Sequence, residues 1–265
     1  MKKRYPALII DLDGCIYLKD VPIEGSDKAV KLLIEKGVKF LFLTNNSIYT
    51  SEDFCKKLKG FGIPCTPELI LTSGEATAKY ILSLSGPSRI LPVTGGGFKE
   101  YARRMGHTLL PLEKWRKADY VVVGLDRQLT YEKLQAAVRA IYNGARFVAT
   151  NTDRTLPTLE GPDVGAGAIV KAIEVVTEVK PIVIGKPSRI IMDIALSILK
   201  LDSRDVLVVG DRVETDIKAG KGVGADTALV LTGTTRPEDV EKIPDKDKPT
   251  YVARDLYSLV KMLYD

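Results

Sequence analysis

Short apolar runs alternate with amphipathic stretches along this chain, and the alternation predicts strands that alternate with helices. Ala7–Ile10 and Val206–Val209 are apolar at every position, as is typical of parallel strands buried on both faces. Between them, Ser26–Asp27 can cap a helix that ends at Gly37, and Val38–Thr44 is predicted to be the next strand. This order predicts an α/β fold with a doubly wound, Rossmann-like parallel sheet.

The middle of the chain repeats the alternation as a second module. Tyr120–Gly124 is predicted to be a strand and Thr130–Tyr142 a long helix. The first alternation then resumes with a predicted strand at Pro181–Ile184 and continues to the end of the chain, with a predicted helix over Val213–Ala219. We therefore predict a discontinuous core domain over 1–79 and 181–265, with an α/β cap domain over 80–180 inserted into it.

Composition excludes several classes of protein. The 265 residues are 45% hydrophobic, which is ample for a core, and 39 Lys and Arg against 34 Asp and Glu give a net charge of +5. Because no basic run has the density or aromatic residues of a nucleic-acid tract, we expect no nucleic-acid polymer as partner. The apolar runs are far shorter than the roughly 20 residues that cross a bilayer, and the N-terminus does not resemble a signal peptide, so we expect no membrane partner.

Histidine and cysteine are scarce. The only histidine, His107, excludes sites built on several histidine ligands, and its place beside Gly106 predicts a surface position. The three cysteines form no CxxC pair, which favours a reducing, cytoplasmic location. Cys15 is predicted to be a small packed residue. Carboxylates and lysines must therefore carry any chemistry.

Reactive side chains directly follow four of the predicted strands. Ligands of open parallel sheets bind beyond the carboxyl ends of the strands, so these residues are expected to converge. The four segments are Asp11–Gly14, Thr44–Ser47, Gly185–Pro187 and Gly210–Asp216.

This set of residues suits phosphoryl transfer. One of Asp11 and Asp13 can attack phosphorus while the other acts as acid and base. Converging acids need a hard cation such as Mg²⁺, for which Asp211 is a natural second ligand and Asp216 an outer partner. The ammonium of Lys186 can bind phosphoryl oxygens. An acid in the first turn of a helix is also stabilising by itself, which is the alternative for Asp216.

Four segments, in order, resemble the motifs of the haloacid dehalogenase-like hydrolases, and the match is nearest to the NagD-type and 4-nitrophenyl phosphatase subgroup. That subgroup carries an α/β cap between its second and third motifs, where the inserted module is predicted. The segments are DLDGC (11–15), LTNNS (43–47), GKP (185–187) and GDRVETD (210–216).

The resemblance implies a role for each matching residue. Asp11 would be the nucleophile and Asp13 the acid and base, while Mg²⁺ would bind Asp11, the Asp13 carbonyl and Asp211. Asp216 and Gly14 would support the site. The residues that would bind the phosphate are Thr44, Asn45, Asn46 and Lys186.

The central module also resembles the cap of this subgroup, in segments 121–134, 149–161 and 165–170. Asp153 and Arg154 would then contact the leaving group, although solvated loop residues are the equal alternative. Gly95–Gly97 lacks the third glycine of a dinucleotide-binding loop and is predicted to be a tight turn.

The sequence therefore predicts a Mg²⁺-dependent phosphoric monoester hydrolase that acts through an aspartyl-phosphate. Its expected partner is a small phosphorylated metabolite, such as 4-nitrophenyl phosphate, a nucleotide, a sugar phosphate or phosphoglycolate. Three alternatives are a dehalogenase, which needs no acid at Asp13, a phosphomutase, and a receiver-like signalling module, which is about half this length. The sequence leaves open whether the chain forms a homo-oligomer.

Overall fold

The computed structural model describes residues 3–158 and 161–265, so Leu159 and Glu160 of segment 149–161 lie outside the described residues. The strands are β1 (Ala7–Ile10), β2 (Tyr17–Leu18), β3 (Val21–Pro22), β4 (Lys39–Thr44), β5 (Ile70–Thr72), β6 (Arg89–Val93), β7 (Thr108–Leu109), β8 (Tyr120–Val123), β9 (Arg146–Ala149), β10 (Thr155–Thr158), β11 (Gly161–Val164), β12 (Ile182–Val183), β13 (Val206–Gly210), β14 (Asp226–Val230) and β15 (Tyr251–Ala253). The helices are α1 (Ser26–Glu35), α2 (Ser51–Gly60), α3 (Ser73–Ser85), α4 (Gly96–Arg104), α5 (Tyr131–Tyr142), α6 (Ala166–Thr177), α7 (Arg189–Leu199), α8 (Lys218–Gly222) and α9 (Leu256–Tyr264).

The first of two compact units contains the core sheet, and it comprises the described residues of Met1–Thr44, Ser51–Leu71 and Lys186–Asp265. The sheet has the strand order β15-β14-β13-β1-β4-β5, and β1 is parallel to both of its neighbours. The chain leaves β1 for β4 on one side and reaches β13 on the other, so the order reverses at β1. Ligands of doubly wound sheets bind at such a reversal.

Burial explains why the central strands are apolar throughout. All four residues of β1 are buried, and Ile10 pairs with Val209 on one side and Phe42 on the other. One face of the sheet packs against α1 and α9 through Leu33 and Leu259, which are fully buried. The sheet therefore holds the carboxyl end of β1 rigidly between those of β4 and β13.

The second unit comprises Asn45–Thr50 and Thr72–Gly185 and is the α/β cap. Its parallel sheet has the order β12-β9-β8-β6-β7, and an antiparallel hairpin pairs β10 with β11. The predicted strand at Pro181–Ile184 belongs to this sheet, because β12 pairs with β9. The structure thus confirms an α/β fold with a parallel-sheet core and an inserted cap, whereas the boundaries at residues 80 and 180 remain a prediction.

Two local expectations need correction. His107 is buried, whereas the sequence predicted a surface position. Both ring nitrogens have partners inside the protein: Nδ1 accepts a hydrogen bond from the Ser88 amide at 3.1 Å, and Nε2 lies 3.2 Å from the Ala78 carbonyl. The helix expected from Val213 to Ala219 is divided: residues 213–217 form one π-helical turn, and α8 begins only at Lys218. Such turns often occur at functional sites.

Two other expectations are met by the structure. Gly95 lies in the tight turn between β6 and α4, and Gly96 and Gly97 begin the helix. Cys15 is fully buried in the core. Among the described residues, we find no helix with both the length and the apolar character required to cross a membrane.

Candidate active site

Asp11 lies at the carboxyl end of the central strand. Its backbone amide donates to the Val209 carbonyl at 2.9 Å, which extends the pairing of β1 with β13 by one residue. Its carboxylate Oδ1 lies 2.7 Å from the Nζ of Lys186, and only 13% of the Asp11 side chain is exposed. The sheet therefore delivers a partly accessible carboxylate to the reversal point of the strand order.

Lys186 is the cation of this site, and it lies immediately after the cap unit ends. Its Nζ is 2.7 Å from carboxylate oxygens of both Asp11 and Asp216, and it donates to the Leu43 carbonyl at 3.1 Å. Burial opposes a charged amine, but the two carboxylates outweigh burial and raise the pKa of Lys186 above its ordinary value. The ammonium is therefore charged at any working pH.

Asp211 lies at the end of β13, between two glycines. A Cβ at Gly14, where φ is +82°, would lie 2.4 Å from the Asp211 Cγ, and a Cβ at Gly233 would lie 2.1 Å from its Oδ2. The backbone amide of Thr234 donates to the same Oδ2. The two glycines thus allow the backbone to enclose this carboxylate, and one amide fixes its orientation.

Asp216 is fully buried in the π-helical turn that follows β13. Its Oδ2 accepts a hydrogen bond from the Arg212 amide at 3.1 Å, and its other oxygen contacts Lys186. The structure therefore places Asp216 within the site, rather than at a solvated helix end.

The three carboxylates can offer oxygens to one cation, since ligand atoms of Asp11, Asp211 and Asp216 lie within 4.8 Å of one another. Burial and the neighbouring acids raise the pKa of Asp11, against the effect of Lys186, and burial and Asp216 raise the pKa of Asp211 to about 6. Three carboxylates and one ammonium carry a formal charge of −3 + 1 = −2. All-oxygen donors and this charge fit a hard divalent cation.

Asp13 is the second acid of the segment, and its side chain turns toward Tyr17. The Tyr17 hydroxyl donates to Asp13 Oδ2 at 3.3 Å, and the Gly14 amide donates to the Tyr17 carbonyl at 2.7 Å. Burial raises the pKa of the Asp13 carboxyl, although the charges of Lys57 and Lys186 oppose that rise. A carboxyl that holds its proton more tightly than usual is suited to proton donation.

The candidate phosphate-binding residues Thr44, Asn45 and Asn46 lie at the end of β4 and directly after it. Thr44 is buried at the end of β4 in the core, whereas Asn45 and Asn46 belong to the cap unit. The Asn45 amide donates to both carboxylate oxygens of Asp153, at 3.1 and 3.2 Å. Arg154, in the same loop, is exposed. The structure thus places Asn45 beside Asp153, and the binding roles of these residues stay predictions.

Several residues that contact the site lie outside the four motif segments of the sequence. Gly233 and Thr234 follow β14, and Thr232 donates its hydroxyl to the Gly14 carbonyl. These polar residues directly follow a strand of a parallel sheet, as do the residues of the other four segments. By contrast, nothing local marks Tyr17 and Lys57 as neighbours of Asp13.

Comparisons with known proteins identify the family of the chain. Family models described as haloacid dehalogenase-like hydrolase and HAD-hydrolase-like match residues 8–108 and 183–259. An acid sugar phosphatase of Staphylococcus saprophyticus is 40% identical, over 98% of this chain and 99% of that protein.

Solved structures give the same result. A p-nitrophenyl phosphatase from Archaeoglobus fulgidus superposes with a TM-score of 0.93 at 37% identity, covering 98% of this chain and 100% of that one. A 4-nitrophenylphosphatase from Thermotoga maritima gives 0.91 at 36% identity, covering 98% and 97%. The chain therefore belongs to the haloacid dehalogenase-like hydrolases, in the branch that contains the nagD and 4-nitrophenyl phosphatase proteins.

Proposed function

We propose that this chain is a Mg²⁺-dependent phosphatase that hydrolyses small phosphomonoesters through a phosphorylated Asp11. The observation that carries the proposal is the cluster of Asp11, Asp211 and Asp216 around Lys186 at the reversal point of the core sheet. Relatives that match 98% of the chain are named acid sugar phosphatase and p-nitrophenyl phosphatase, which supports hydrolysis of phosphate esters over dehalogenation.

Binding of the phosphate depends on donors and positive charge. Lys186 supplies a buried ammonium beside Asp11, and the Thr44 hydroxyl at the end of β4 supplies a further donor. We assign Asn45 and Asn46 to the same task, and Asp153 and Arg154 of the cap to recognition of the leaving group. These assignments follow the family resemblance and the placement of the residues at strand ends.

The metal would be held by the carboxylates of Asp11 and Asp211 and by the main-chain carbonyl of Asp13, with Asp216 and Gly14 in support. Bound there, Mg²⁺ would neutralise the carboxylates and the oxygens of the phosphoryl group. The donor set supports this choice, because all of its members are oxygens and because the carboxylates of Asp11 and Asp211 are negatively charged.

The chemistry then proceeds in two displacements. A carboxylate oxygen of Asp11 attacks phosphorus, the bond to the ester oxygen breaks, and Asp13 gives its proton to that oxygen. Asp13 next takes a proton from water as the water oxygen attacks the phosphorylated Asp11. This second step releases inorganic phosphate and restores the carboxylate of Asp11 and the protonated carboxyl of Asp13.

We also propose a substrate class and a location for the protein. A small phosphorylated metabolite, of the sugar phosphate or aryl phosphate type, matches the names of the relatives. The three cysteines are free and buried, which supports the prediction of a reducing, cytoplasmic location. We also propose the domain boundaries at residues 80 and 180, which rest on the alternation of predicted strands and helices along the sequence.

The test is the Asp11→Asn variant, assayed with 4-nitrophenyl phosphate in the presence of Mg²⁺ and of a chelator. We expect kcat to fall at least about a thousandfold, because the amide cannot act as nucleophile. Asp205→Asn, which changes an exposed acid before β13, should retain full activity. Acid-quenched wild-type enzyme should carry one phosphoryl group on the peptide that contains Asp11. Turnover of the Asn variant near the wild-type rate would refute the mechanism.

A further inference from the structure

Tyr17 contacts the Asp11–Gly14 segment through both its backbone and its side chain. Its carbonyl accepts the Gly14 amide at 2.7 Å, and its backbone forms an isolated β-bridge with Asp13. Its hydroxyl donates to Asp13 Oδ2 at 3.3 Å. Only 1% of Tyr17 is exposed, so the phenol has little freedom to leave this carboxyl.

Lys57 of α2 lies over the face of the Tyr17 ring. Its Nζ lies 3.9 Å from the ring centroid, and it donates to the Lys19 carbonyl at 2.8 Å and to Asp20 Oδ1 at 2.9 Å. Lys19 and Asp20 form the turn between β2 and β3, so Lys57 joins that hairpin to α2. Phe61 packs on the same ring, with centroids 6.0 Å apart.

We propose that Tyr17 is a positioning residue for the general acid, and that Lys57 holds and polarises its phenol. The inference rests on the proposed function, since it assigns a task only if Asp13 protonates the leaving group. Because Tyr17 occupies Oδ2, the carboxyl presents Oδ1 to the ester oxygen. A cation over the face of the ring withdraws electron density and makes the hydroxyl a stronger donor.

The proton balance leaves Tyr17 unchanged. The proton on Asp13 Oδ1 passes to the ester oxygen as the bond from that oxygen to phosphorus breaks and the bond from Asp11 to phosphorus forms. Tyr17 keeps its own proton and donates the same hydrogen bond before and after transfer. Its contribution is therefore orientation, which matters most when the departing oxygen is strongly basic.

The experiment compares two aryl leaving groups that differ strongly in basicity. For wild type and Tyr17→Phe, kcat/KM is measured for 4-nitrophenyl phosphate and for phenyl phosphate, whose leaving group is far more basic. Since kcat/KM reports steps up to the first irreversible one, it isolates transfer to Asp11 from hydrolysis. General acids contribute roughly 10²- to 10⁴-fold, so we expect about a tenfold to hundredfold loss with phenyl phosphate and no more than about threefold with the nitro ester.

Variants of Lys57 provide a second, independent test. Lys57→Met removes the charge and keeps most of the packing, so it should steepen the leaving-group dependence in the same direction but less. Lys57→Arg keeps a cation and should restore the wild-type dependence. Lys56→Met, which changes the exposed neighbouring lysine of α2, is the matched control and should match wild type.

Equal losses for the two esters in Tyr17→Phe would overturn the inference, because a merely structural role lowers both alike. If that variant does not fold, as judged by circular dichroism, an unchanged leaving-group dependence in Lys57→Met overturns it instead. Failure of the proposed function would look different: Asp11→Asn would then retain activity whatever the Tyr17 variants do.

Discussion

Replacement of Lys186 by methionine would remove the only cation in direct contact with Asp11 and Asp216 among the described residues of the core. Methionine keeps the approximate length of the side chain and its apolar stem, so packing changes little. The substitution leaves the carboxylates of Asp11, Asp211 and Asp216 within 4.8 Å of one another with no ammonium between them. The formal charge of the cluster, which was −2 with the ammonium of Lys186, becomes −3.

The cost follows from burial. Lys186 is 3% exposed and Asp216 is 1% exposed, so the broken ion pair leaves a carboxylate without water to solvate it. Removal of one partner of a buried pair typically costs about 3–5 kcal/mol. With a urea dependence of about 2–3 kcal/mol per molar, the unfolding midpoint of the core should fall by about 1–2 M. An exposed control, Lys221→Met, should remain within about 0.5 kcal/mol of wild type.

The loss of stability in Lys186→Met should also depend on pH, and the pKa shifts of the neighbouring carboxyls determine the direction of that dependence. Folding raises the pKa of Asp211 to about 6 and raises that of Asp11, and loss of Lys186 raises the pKa of Asp11 further. A carboxyl whose pKa is raised by folding stabilises the folded state at low pH, and this contribution is lost as pH rises through the folded pKa. The deficit of the variant should therefore be largest near pH 8 and should shrink toward pH 5.

Urea unfolding followed by circular dichroism, with a chelator and then with excess Mg²⁺, measures these effects. We expect the deficit to be smaller with Mg²⁺, because a bound cation offsets part of the missing charge. A midpoint within about 0.3 M of wild type at pH 8 with chelator would refute the electrostatic reasoning. So would a deficit that grows as the pH falls.

Two further substitutions test the packing of each unit. Gly233→Ala should lower kcat/KM about tenfold or more and raise the Mg²⁺ concentration for half-activation, because the new Cβ would lie 2.1 Å from Asp211 Oδ2. The control Gly222→Ala, at a glycine with open space around it, should leave both quantities unchanged. An unchanged Mg²⁺ requirement in the first variant would contradict this. His107→Ala should cost the cap about 1–3 kcal/mol, since it leaves the buried Ser88 amide without its acceptor. The fluorescence of Trp115, the only tryptophan, would report that loss, and an unchanged midpoint would count against it.

The core was predictable from sequence because its signal is local. Strands buried on both faces must be apolar throughout, and β1 and β13 show this at every residue but the glycine that ends β13. The reactive residues at their ends could be found because parallel strands bring their carboxyl ends to one edge. The short strand β12 carries no such information, since two apolar residues do not indicate which sheet they join.

The remainder depends on contacts between residues distant in sequence. His107 is separated from Ala78 by 29 positions, and its neighbour Gly106 suggests an exposed helix end, yet the cap encloses the ring. Lys57 reaches Tyr17 only because α2 packs beside the hairpin of β2 and β3, so neither residue shows a recognisable spacing. Such partners follow from the tertiary fold, and the sequence pattern contains no equivalent of them.

Charge at the site differs in sign from charge of the chain. The sequence carries a net +5, yet the cluster around Lys186 has a formal charge of −2, because its ammonium is shared by two carboxylates and a third lies nearby. Surface charges more than about 8–10 Å away are largely screened at physiological salt, whereas these buried groups are not. A phosphate dianion would therefore be repelled by the cluster alone. Affinity for the phosphate must therefore come from a cation bound in the cluster, such as the proposed Mg²⁺, and the net positive charge of the whole chain contributes little.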